Sequence, residues 1–164
     1  MIINELLGRS QSDTSYPIEV GKQNFDYSEY IFFSNSKRYV VVISEMEDDI
    51  IEVVFGPKLI NYINYEIEPL NNMKETIKIF TTVIEACKLY NEKHHPLVWV
   101  FSAKESSRIK LYRRLAKTLA NTFNLKYQGR KMSGENMFIL YQDTHQGRNL
   151  VYKFARNIGN QDAD

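Results

Sequence analysis

Phe101-Ser-Ala-Lys-Glu-Ser-Ser-Arg-Ile-Lys-Leu-Tyr-Arg-Arg-Leu-Ala-Lys117 is the stretch from which the rest of the chain can be read. Immediately before it, Pro96-Leu-Val-Trp-Val-Phe101 is an unbroken apolar run, the pattern of a strand covered on both faces. Ser106 or Ser107 supplies an N-cap, whose side-chain oxygen satisfies amides left open in the first turn of a helix. Ile109, Tyr112, Leu115, Leu119 and Phe123 then recur at helical spacing and predict one buried face. Lys110, Arg113, Arg114 and Lys117 fall on the opposite face. The reading is therefore strand, turn and basic amphipathic helix.

Working outward, residues 104–131 hold nine Lys or Arg against one Glu, a local balance of +8 that leaves −7 for the rest of a chain of net charge +1. Such segregation predicts one positive surface, extended by Lys126, Arg130 and Lys131, that attracts anions. Phosphates of a nucleic acid are one candidate, and Tyr127 beside the patch is placed to stack on unpaired bases. A basic helix face that is merely solvated is the plain alternative.

Upstream, Tyr30-Ile-Phe-Phe33, Arg38-Tyr-Val-Val-Val-Ile43 and Ile50-Ile-Glu-Val-Val-Phe55 are β-branched and aromatic runs. Short polar turns between them predict an antiparallel meander. Tyr62-Ile-Asn-Tyr-Glu-Ile-Glu68 alternates apolar and polar residues and reads as its last strand. A long helix follows from Met73, with Ile77, Phe80, Ile84 and Cys87 along one stripe, and ends near His95-Pro96. Downstream of the basic helix, Leu125-Lys-Tyr-Gln128 and Met137-Phe-Ile-Leu-Tyr141 predict a hairpin. Asn149–Ala155 reads as a last strand or helical turn. The expected architecture is α+β: a mixed, mostly antiparallel sheet flanked by helices. Residues 30–155 form the domain, 1–29 pack on it with a short edge strand at Pro17–Val20, and 156–164 are a polar tail.

Composition narrows the class. The chain has 164 residues, enough for one proper core, and no apolar run reaches the ~20 residues that a membrane helix needs. The N-terminus has neither the basic region nor the apolar segment of a secretory signal. A single cysteine, Cys87, excludes an internal disulfide and points to a reducing cytoplasm, with the thiol as a small buried apolar group. His94 and His95 lack metal-ligand spacing and suit a helix C-terminus, so no metal is expected.

The element order, together with Lys78-Ile-Phe-Thr-Thr-Val-Ile84 and Phe101-Ser-Ala…Ser107-Arg-Ile-Lys-Leu-Tyr112, resembles the GNAT N-acetyltransferase superfamily, in particular GNAT-like proteins of tailed bacteriophages. The resemblance covers roughly residues 30–141 and implies acetyl-CoA as cofactor and an amine as acceptor. It places the pyrophosphate at the start of the helix after the meander, on Asn71, Asn72, Met73 and Lys74, with Arg108 nearby. The family's glycine-rich loop corresponds here to Pro69-Leu-Asn-Asn-Met-Lys74, which contains no glycine; Asn72 and Lys74 stand at the glycine positions. Glu105 stands where the family often has Asn. By the same resemblance Tyr112 is the acid that protonates the departing thiolate, and Glu66 and Glu68 are candidate bases for the amine. The glycine-free loop equally suits a catalytically silent member that binds a host or virion protein.

Overall fold

Tight polar turns divide the apolar runs into the strands of the computed structural model, which describes residues 15–58, 73–103, 106–132 and 134–162. In chain order the elements are β1 (Glu19–Asn24), β2 (Tyr27–Ser34), β3 (Lys37–Glu47), β4 (Ile50–Pro57), α1 (Met73–His94), β5 (Val98–Ala103), α2 (Ser106–Phe123), β6 (Lys126–Met132), β7 (Glu135–Tyr141) and α3 (His145–Asp162). The strands form one seven-stranded sheet in the order β1-β2-β3-β4-β5-β7-β6. β4 and β5 run parallel, from Ile50 opposite Val98 to Glu52 opposite Val100, while β1–β2, β2–β3, β5–β7 and β6–β7 are antiparallel. The fold is the α+β class expected from the alternation of apolar runs.

By compactness the chain divides into two units, Met1–Ser44 with Val53–His95, and Glu45–Glu52 with Pro96–Asp164. In the first, Asn35 and Ser36 join β2 to β3 with both φ angles positive, 48° and 65°, as a two-residue hairpin of matching twist requires. The core stacks aromatic rings: Tyr16 on Phe32 at 5.8 Å and Phe32 on Tyr39 at 5.3 Å. α1 is tied to this core by Phe80, edge-on to Phe55 at 5.8 Å, and by a short polar chain. The Tyr16 hydroxyl lies 2.8 Å from the Ser34 oxygen, which lies 2.9 Å from a Glu75 carboxylate oxygen. Because a carboxylate only accepts, Ser34 donates to Glu75 and Tyr16 donates to Ser34.

In the second unit, period-two alternation on β5, β7 and β6 gives two opposite faces. Trp99 and Phe101 point toward α2, where Trp99 stacks on Phe123 at 5.2 Å. Val98, Val100, Met132 and Ile139 point the other way and pack with Ile50 against Val151 and Phe154 of α3. The start of β5 is held by the amides of Leu97 and Val98, which donate to the Asp49 carbonyl at 3.1 and 3.0 Å.

Three boundaries differ from the sequence reading. The first strand is Glu19–Asn24 rather than Pro17–Val20, because its pairing to β2 runs on to Asn24. Asn149–Ala155 belongs to a full helix that continues through Gly159 to Asp162, into the stretch expected to be a tail. Its first turn, His145-Gln-Gly-Arg, hides the helix from periodicity. The capping is done by Thr144, whose Oγ1 accepts the Gly147 amide at 3.0 Å. Gly147 is buried and close-packed, since a side chain there would run into the Gln142 carbonyl. The strand expected at Tyr62–Glu68 lies outside the described residues.

Candidate functional site

Both candidate chemistries of the second unit arise from the alternation on its strands. On the α2 side, Tyr127, Gly129 and Lys131 of β6 stand opposite Leu140, Phe138 and Asn136 of β7. Tyr127 stacks on Phe138 at 6.5 Å with the rings 17° apart. Gly129 makes that possible: a Cβ there would lie 3.0 Å from the Tyr127 hydroxyl, so glycine lets the ring lie along the strand. The Lys117 ammonium, from α2, stands 5.5 Å from the centre of the Tyr127 ring, within reach of its π-cloud. Between α2 and β6 opens a groove of about 390 Å³ whose walls include Arg113, Tyr127, Arg130, Lys131, Asn136 and Phe138.

The sequence-derived patch is therefore partly assembled. Arg113 and Lys131 meet at the groove and Lys117 reaches its aromatic wall, while Arg130 borders the groove but shares the α3-side face of β6 with Gln128. Lys110 and Arg114 are exposed on α2 outside the groove, and Lys126 is exposed at the start of β6. Arg130 Nε donates to Gln128 Oε1 at 3.0 Å, which steadies the guanidinium at the sheet edge. Among the described residues, none of Arg113, Lys117, Arg130 and Lys131 enters an ion pair.

The opposite face of the same strands holds a carboxylate that the sequence reading passed over. Glu52 follows Ile50 on the α3 side of β4 and is half-buried. Burial and, after it, the negative charge of Glu135 push its carboxyl above the ordinary 4.5. The signal was available: Glu52 is the one charged residue within the apolar run Ile50–Phe55. A carboxylate whose proton affinity is raised in this way is a stronger base than an ordinary glutamate.

The remaining candidates divide by burial. Tyr112 is on the buried stripe of α2, only 7% exposed, so it packs in the core as its helical spacing also allows. Cys87 is fully buried in α1 and its thiol is pushed up by burial, which keeps it from acting as a nucleophile. Lys74 is exposed in the first turn of α1, which begins at Met73. Arg108 lies within the first turn of α2. Asn71, Asn72, Glu66, Glu68 and Glu105 lie outside the described residues. His94 closes α1 and stacks on Tyr90 at 4.3 Å. Among the described residues, no three His, Cys, Asp or Glu stand together to hold a metal ion, and no helix is long and apolar enough to cross a membrane.

The chain belongs to DUF6934, a family of unknown function whose model matches residues 12–154. No curated protein matches it by sequence. Among solved structures, a domain from Methanocaldococcus jannaschii DSM 2661 is similar at 9% identity, over 73% of this chain and 69% of that chain, with a TM-score of 0.38.

Proposed function

We propose that this DUF6934 protein is a GNAT-like, acyl-CoA-dependent N-acyltransferase of a bacterial or phage-infected cytoplasm, with an amine as acceptor. The observation that carries the reading is the strand order β1-β2-β3-β4-β5-β7-β6, in which β4 and β5 are parallel and joined through α1. The resemblance implies a mixed, mostly antiparallel sheet flanked by helices, and this order supports that reading. The first turn of α1 adds support, since a helix N-terminus with a lysine exposed in it, here Lys74, suits a phosphate. When bound, acetyl-CoA supplies the activated thioester.

The chain's own part is to hold the acceptor and move its proton. An amine attacks a carbonyl only after losing a proton, so a base with raised proton affinity is needed. Glu52 meets that description, and Glu135 is the neighbour that raises its affinity further. Glu66 and Glu68 stay as sequence candidates for the same task, and Tyr112 as candidate acid. The test is thioester turnover by the folded protein across a panel of amines. Glu52→Gln should lower turnover by about 10²-fold or more. Calorimetric titration of acetyl-CoA, repeated with Lys74→Ala, checks the phosphate site. Silence in both assays overturns the reading.

A second reading is favoured by the burial of Tyr112: a GNAT-like fold without catalysis, whose partner is a host or virion protein. It predicts no acetyl-CoA binding and one stoichiometric partner recovered from a bacterial lysate.

A further inference from the structure

We infer that the groove between α2 and the β6 edge is a binding site for single-stranded nucleic acid, independent of acyl transfer. Three observations inside the second unit converge on that ligand. The first is charge without compensation. Arg113 and Lys131 bring positive charge to the groove, and no Asp or Glu is among its lining residues. Lys110, Arg114 and Lys117 extend the positive surface along α2, and neither α2 nor β6 contains an acidic residue. Lysines on an edge strand can serve only to discourage strand addition. That account does not reach α2, which has no edge to protect.

The second observation is aromatic. Tyr127 is half-buried and backed by Phe138, and Gly129 keeps its own strand clear beneath the ring. A ring fixed in this way is a platform on which a base stacks without prior ordering cost. The Lys117 ammonium over the ring is placed to turn to a phosphate on either side of a stacked base. Asn136, opposite Lys131 on the same face, adds an amide with both donors and an acceptor.

The third is shape. β6 is the last strand of the sheet, so the groove is open along the edge, as passage of a polymer requires. Its volume of about 390 Å³ suits one nucleotide at a time rather than a duplex. Positive walls, one stacking ring and an open end together favour an unpaired strand over a paired one, whose bases are already stacked.

The experiment is fluorescence anisotropy with a labelled 20-nucleotide single strand, measured from low to physiological salt on the full chain. With three phosphates neutralised by Arg113, Lys117 and Lys131, the affinity should fall with a log–log salt slope of about −2. Arg113→Ala with Lys131→Ala should flatten that slope by about 1.4. Tyr127→Ala should weaken binding at least fivefold with the slope unchanged, and the matching duplex should bind more weakly. All three positions are exposed or half-exposed, and circular dichroism confirms that each variant is folded. Absent binding, or binding unaffected by both sets of changes, overturns the proposal. Equal competition by polyglutamate, with no effect of Tyr127→Ala, would also overturn it and mark a general polyanion surface.

Discussion

The two faces of the β5–β7–β6 ladder use the same three strands for opposite purposes. Toward α3, the residues Val98, Val100, Met132 and Ile139 meet Val151 and Phe154 in a closed apolar layer, with Glu52 at its border. Toward α2, Trp99 and Phe101 are as deeply buried, but β6 then leaves the cover of the helix. There Tyr127, Lys131 and the gap at Gly129 stand beside the groove. The difference teaches that an open groove forms where the covering helix stops short of the sheet edge, whereas the covered face leaves only its border, at Glu52, within reach of a ligand.

The largest test of that contrast is to truncate one anchor on each face. Phe154→Ala and Trp99→Ala should each cost about 3–5 kcal/mol, measured by urea unfolding. If Phe154→Ala were neutral, α3 would not close its face and the contrast would fail. A smaller change is expected at the start of α3. Gly147→Ala pushes a methyl into the Gln142 carbonyl and should destabilise by about 1–3 kcal/mol, with the loss of α3 amide protection in hydrogen exchange as its signature.

The border carboxylate gives a prediction of sign. Glu52 binds its proton more tightly in the folded chain than at its ordinary 4.5. The folded state therefore holds more protons than the unfolded one just above that value, and stability is lost as pH rises through the folded pKa. Glu52→Gln should remove this loss, so its stability relative to the natural chain should grow between pH 4 and pH 7. Glu135→Gln should shrink the loss without abolishing it, because burial is the larger cause. A flat difference across that range would show that Glu52 is fully solvated.

The smallest expected effect on stability is on the open face. Arg113→Glu should leave unfolding within about 0.5 kcal/mol, because the side chain is exposed and unpaired among the described residues. Oligonucleotide affinity at low salt should nevertheless fall at least tenfold. A large stability change would make Arg113 a structural residue and remove the distinction between the faces.

Much of this was legible in the sequence. The apolar run Pro96–Phe101 and the spacing Ile109–Phe123 predict β5 and α2 to within two or three residues, because buried faces impose their period on the chain. The basic patch was legible as composition. What periodicity missed was α3, whose first turn carries Gln146, Gly147 and Arg148 where an apolar signal would be needed. Periodicity also missed Glu52, since a lone carboxylate in an apolar strand has no partner in its own neighbourhood.

For β2 to β5, α1 and α2 the sequence by itself determined which residues form strands and helices and which side is apolar, since these depend on contacts within a few positions. Tertiary structure decided the rest. Insertion of β7 between β5 and β6 made β6 an edge, set Tyr127 against Phe138 and opened the groove beside Arg113. The parallel pairing of β4 with β5 carried Glu52 into the field of Glu135, 83 positions further along the chain. Local pattern specifies a face, but only the order in which strands pair specifies what that face meets.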